Sequence, residues 1–100
     1  MKITKNVENG KVILSVDGRL DTVTAPELAA AIAEIEDGVK ELVFDFSELE
    51  YVSSAGLRVI LSTHKKLDAE GGKLVVRHPN DMIQSIFALT GFIEILNIED

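Results

Sequence analysis

The chain has no cysteine, which excludes a disulfide framework, a thiolate nucleophile and a thiolate metal site. It also lacks any apolar run approaching the ~20 residues that a membrane-spanning helix needs. The opening Met1-Lys2-Ile3-Thr4-Lys5-Asn6 has no apolar segment of the kind that directs secretion. A cytoplasmic protein with no direct membrane insertion is the expectation. Positive charge is scarce as well: ten Lys and Arg against seventeen Asp and Glu leave a net charge of −7. That balance works against nucleic acid or an anionic membrane as partner, because both are held by clustered cations. Five cations, Arg58, Lys65, Lys66, Lys73 and Arg77, fall in one part of the sequence and are the candidate for a basic patch.

What is present is a globular pattern. Hydrophobic residues make up 46% of 100 residues, enough for one domain over residues 1–100 with a real core. Residues 2 to 8 predict a first strand, and Asn9-Gly10 a tight hairpin, since both residues tolerate positive φ. Lys11 to Val16 predicts the second strand, ended by Asp17-Gly18. Thr24-Ala25-Pro26-Glu27 has the form of a helix start, with Thr24 as cap, Glu27 three residues on and Pro26 in the first turn. Leu28, Ala31, Ile32 and Ile35 mark its buried face, and Gly38 is its expected stop. Leu42-Val43-Phe44-Asp45-Phe46 predicts a buried central strand. Leu57, Ile60, Leu61, His64 and Leu67 fall on one face of a second helix, which Gly71-Gly72 ends. A strand over Lys73 to Arg77 follows, then a third helix capped by Asn80 and broken at Gly91, and an apolar segment from Phe92 to Ile98. The order implies an α/β (α+β) fold: a mixed sheet of four to five strands with helices mainly on one face.

Catalytic chemistry is sparse. His64 and His78 lie on a helix and just after a strand, and neither has a metal-ligating residue three or four positions away. No Gly-x-Ser-x-Gly elbow supports a triad of Ser54, His64 and Asp45. Gly71-Gly72 has no Gly-Lys-Ser/Thr sequel that would cradle a phosphate. Asp45 lacks the earlier acidic pair that a phospho-accepting aspartate uses to hold magnesium, and is expected to hydrogen-bond at its strand end. No enzyme, no metal and no cofactor are expected. The informative stretch is Tyr51-Val52-Ser53-Ser54-Ala55-Gly56-Leu57, where two hydroxyls meet a helix start. A serine there caps the helix, and the helix dipole with its free first-turn N–H groups favours an added phosphate. Asp21, Thr22 and Thr24 form a second polar loop expected at the same end of the sheet.

The whole chain, from about Ile3 to Ile98, resembles the STAS domain, and most closely the small anti-sigma factor antagonists. Tyr51 to Leu57 is similar to the family's Asp-Ser-Ser/Thr-Gly-Leu phosphorylation loop. Gly18-Arg19-Leu20-Asp21 through Thr24-Ala25 and Leu28 resembles its partner-facing loop. Gly71 to Val76 and Leu89-Thr90-Gly91-Phe92 are similar to two further landmarks. The resemblance implies a phosphorylated serine at Ser54, with Ser53 as the alternative because it stands where the family often has aspartate. It further implies a partner surface of Asp21, Thr22, Thr24, Ser53, Ser54, Gly56, Leu57 and Arg58. The implied partners are an anti-sigma factor with a GHKL-type serine kinase domain, which the unmodified protein binds so that its client is released, and a PP2C-type phosphatase. Some members of the family are instead constitutive subunits, such as the STAS partner of an ABC transporter ATPase, in which the two serines would only cap and pack.

Overall fold

The computed structural model describes residues 1–36 and 38–99. The elements are β1 (Lys2–Glu8), β2 (Lys11–Leu20), α1 (Ala25–Ala33), β3 (Glu41–Asp45), β4 (Leu49–Val52), α2 (Ser54–Ala69), β5 (Lys73–Arg77), α3 (Asp81–Thr90), α4 (Phe92–Ile95) and β6 (Asn97–Glu99). The sheet order is β1-β2-β3-β5-β6, with β4 paired to the far end of β2. β1 and β2 are antiparallel, and every other pair is parallel. Among the described residues the sheet therefore has six strands, where four to five were expected. Among the described residues no helix is long and apolar enough to cross a membrane.

The extra strand has a local cause. Gly18 was expected to end β2, but at φ +109° it lets the strand run on to Leu20, and the register to β4 shifts between Gly18 and Arg19 with Glu50 as the extra, bulged residue. That continuation gives Leu49–Val52 a parallel partner. Two further expectations need correcting. α1 stops at Ala33, well before Gly38, and Ile35 and Val39 pack on the core as irregular chain. Thr24 does not cap α1 through its side chain; its hydroxyl is engaged elsewhere, as described below.

Strand alternation divides the sheet's side chains between two faces. Val12, Leu14, Val16, Leu42, Phe44, Leu74 and Val76 join Leu28, Ile60, Ile83 and Phe87 of the helices in one buried cluster. Each such side chain withdrawn from water contributes about 1.5–3 kcal/mol before entropy is counted. Among the described residues, the buried cluster on the other face consists of Ile13, Val43 and Val75 and includes no helix residue. They are nonetheless buried, and charged residues occupy the neighbouring rows of the ladder. Lys11 and Lys73 both reach Glu41, at 3.6 and 3.8 Å, and Arg77 reaches Glu99 at 3.5 Å. Long charged side chains of this kind can cover apolar surface with their stems while their heads stay in water.

The remaining helix signals behave as the residues dictate. The Asn80 side chain accepts from the Ile83 N–H at 2.8 Å and donates to the Leu49 carbonyl at 3.0 Å, so one residue caps α3 and fastens it to β4. Gly91 closes α3 in the left-handed region at φ 82°. Asp45 accepts the Ser47 N–H at 3.0 Å, a strand-end bond. His64 is half-buried on α2.

Candidate functional site

β2 and β4 run parallel, so Leu20 and Val52 finish side by side. The chain leaving each strand enters one of the two polar loops. The Ser53 N–H donates to the Leu20 carbonyl at 2.8 Å, which ties the two exits together. The sequence places both loops at one end of the sheet, and the structure joins them there.

The two serines take different roles. Ser53 is the N-cap of α2, extended at φ −96° and ψ 177°, and its hydroxyl accepts from the Gly56 N–H at 3.4 Å. Its carbonyl accepts the Leu57 N–H at 2.9 Å. Ser54 is the first helical residue; it is exposed, and among the described residues its side chain makes no hydrogen bond. A free hydroxyl thus stands at the positive end of a 16-residue helix, where added negative charge is favoured. Arg58 is exposed on the same helix, four residues on and therefore on the same side of it.

The Asp21 loop is closed by a capping box that lies three residues earlier than Thr24-x-x-Glu27. Asp21 Oδ1 accepts from the N–H groups of Val23 and Thr24, at 3.0 and 3.1 Å. Thr24 Oγ1 accepts the Asp21 N–H at 2.8 Å and donates to the Arg19 carbonyl at 2.7 Å. The Asp21 carbonyl accepts the Ala25 N–H at 2.8 Å. These reciprocal bonds fix the loop and leave Thr22 exposed at its tip.

The Thr24 N–H, with the Thr24 hydroxyl, the Val23 N–H and the Arg19 charge, holds the Asp21 carboxyl below its ordinary 3.8, against a desolvation that raises it. A lowered carboxylate contributes stability that is present above the unfolded value and is lost as pH falls through the folded one. Asparagine caps equally well without titrating. The stability difference between wild type and Asp21→Asn should therefore be constant from neutral pH down to about pH 5 and shift toward the variant below pH ~4. Urea unfolding across that range checks it, and a difference that stays flat to pH 2.5 would remove the carboxylate from this role.

Gly56 and Leu57, expected on a partner surface, are both buried. Gly56 is needed for close approach: a Cβ there would sit 2.7 Å from Leu20 Cγ and 2.8 Å from Val52 Cγ2. Leu57 enters the main core. Neither is an open contact position; they seat the first turn of α2 against the two strand ends.

From this end a groove runs between α1 and α2. Near the loops it is lined by Thr22, Ala25, Ala55, Arg58 and Val59, and further on by Ile32 and Lys66. The cations clustered in sequence are thereby divided. Arg58 and Lys66 border the groove, whereas Lys73 and Arg77 lie on the opposite face of the sheet and pair with Glu41 and Glu99. One feature escapes sequence reasoning. The Arg19 guanidinium stacks 4.5 Å over the Tyr51 ring beside both loops, because the bulge brings those two residues opposite each other.

The fold and the serine-bearing helix start define a class: the STAS domain family model matches residues 2–100, and the chain belongs to that family. It is 32% identical over 99 residues, 98% of this chain and 85% of the other, to BtrV of Bordetella bronchiseptica, a protein named as an anti-sigma factor antagonist. A Thermotoga maritima structure described as an anti-sigma factor antagonist superposes with a TM-score of 0.92 at 23% identity, covering 98% of this chain and 86% of that one. The Bacillus cell fate determinant SpoIIAA, solved in its phosphorylated form, gives 0.76 at 18% identity, with 97% and 90% covered. At those identities the two structures establish a shared fold.

Proposed function

We propose that this chain is an anti-sigma factor antagonist that works by partner switching, with Ser54 as its switch. The unmodified protein docks on an anti-sigma factor carrying a GHKL-type serine kinase domain, and that factor's client is released. Asp21, Thr22, Ser53, Ser54 and Arg58 offer the contact surface, while Thr24, Gly56 and Leu57 hold it in shape. The bound kinase phosphorylates Ser54, docking is lost, and a PP2C-type phosphatase resets the protein. The protein itself acts by binding, not by turnover.

The observation that carries this reading is the division of labour between the serines. Ser53 is tied at its backbone to Leu20 and at its hydroxyl to Gly56. Ser54 is exposed at the helix start and among the described residues its side chain makes no hydrogen bond, so a kinase reaches it without undoing the cap. The name of the Bordetella relative gives the reading its partner class, and the phosphorylated SpoIIAA supports a fold that tolerates the modification. The test is phosphotransfer from the GHKL-type kinase of the protein's own host. Wild type and Ser53→Ala should accept phosphate and Ser54→Ala should not; labelling that survives in Ser54→Ala would move the switch elsewhere.

A further inference from the structure

β1 pairs with β2 along one side, and among the described residues it meets no strand along the other. Asn9 at φ 45° and Gly10 at φ 81° form the hairpin turn that Glu8 and Lys11 close. The closing pair of such a two-residue hairpin exchanges both its hydrogen bonds, and the pattern then alternates along the ladder. The backbone N–H and C=O groups of Ile3, Lys5 and Val7 consequently face outward from the sheet edge. Val7 is 68% exposed, although it lies on the same side of β1 as Ile3, which packs on the core.

The seven residues Lys-Ile-Thr-Lys-Asn-Val-Glu are complementary to themselves when read antiparallel about Lys5. In that register Lys2 stands opposite Glu8 of a second copy, Ile3 opposite Val7, and Thr4 opposite Asn6, each pair occurring twice. The register also places the outward backbone groups of Ile3, Lys5 and Val7 opposite one another, so about six backbone hydrogen bonds form. Lys2–Glu8 and Thr4–Asn6 fall at the closely spaced, non-hydrogen-bonded positions, where side chains meet most intimately. The one mismatch is Lys5 against Lys5, a like-charge pair of the kind that blunts an open edge.

We infer that β1 is a self-recognition strand through which two copies of this chain join edge to edge into one continuous sheet. Lys5 keeps the association weak and reversible. The contact leaves the exit of β4 and the first turn of α2 uncovered, so it does not depend on the switch proposed above.

Sedimentation equilibrium from about 10 μM to 1 mM at low salt tests it, with amide exchange as the second readout. Wild type should form a concentration-dependent dimer whose appearance slows exchange at Ile3, Lys5 and Val7. Lys5→Thr should tighten the dimer about fivefold. Glu8→Lys should weaken it about tenfold, and Lys2→Glu with Glu8→Lys should recover wild-type affinity; circular dichroism confirms that each variant is folded. The inference is overturned if Lys5→Thr stays monomeric at 1 mM, or if a dimer forms that ignores the charge exchange.

Discussion

Stoichiometric phosphorylation at Ser54 is expected to weaken docking on the anti-sigma factor by two or more orders of magnitude while leaving the fold intact. The modification adds about −1.5 to −2 charges at pH 7. Within the free protein those charges sit at the start of α2, where the dipole is worth about 0.3–1 kcal/mol in their favour, and Arg58 is one turn away on the same side. Thermal unfolding should accordingly be unchanged or slightly delayed. At an interface the balance reverses. A desolvated phosphate without a dedicated cation costs several kcal/mol, and each ~1.4 kcal/mol is a factor of ten in affinity. Ser54→Asp should shift binding in the same direction by less, since one carboxylate carries less charge than a phosphate. Isothermal titration of the phosphorylated, Ser54→Asp and unmodified proteins against the purified anti-sigma factor checks the docking, and thermal unfolding of the same three proteins checks the fold. Equal affinity for the phosphorylated and unmodified forms removes the switch.

The second large effect concerns the glycine two residues on. Gly56→Val should lose about 3 kcal/mol, the upper end of the usual cost of overpacking, and for a chain of this size about 12–24 °C in Tm. Leu20 and Val52, the side chains it would strike, are 0% and 2% exposed and sit at the ends of the paired strands. They cannot retreat without parting the two loops. Gly56→Ala removes the flexible residue as well as adding a methyl. About 1 kcal/mol of helix propensity therefore offsets an overpacking cost of about 1–3 kcal/mol, and a small net loss is expected. An unchanged melting temperature in Gly56→Val would mean that the first turn of α2 is not pinned to the strand ends.

Local chemistry was legible in the sequence wherever one residue type answers one geometric need. Asn9-Gly10 turns because both adopt positive φ, Asn80 caps because its side chain reaches Ile83, and Gly91 stops α3 in the left-handed region. The misreadings arise where a distant partner decides. Leu49–Val52 finds a strand partner because β2 continues past Gly18 to Leu20, a continuation that those four residues do not announce. Thr24 and Glu27 have capping-box spacing, but Asp21 takes two N–H groups and Thr24 answers the Asp21 N–H, so the box closes earlier. At the site itself, the pair of serines and their place at a helix start were readable. Which of them caps was not, because that depends on the Ser53 bond to Leu20, thirty-three residues earlier in the chain.

The most direct measurement is phosphopeptide mapping of the protein isolated from its own host, in growing and in stressed cells, beside a strain carrying Ser54→Ala. A phosphate on Ser54 whose occupancy changes with condition, and which vanishes in the variant, is the expected result. A chain unmodified in every condition, or one phosphorylated at Ser53 instead, would contradict control at Ser54.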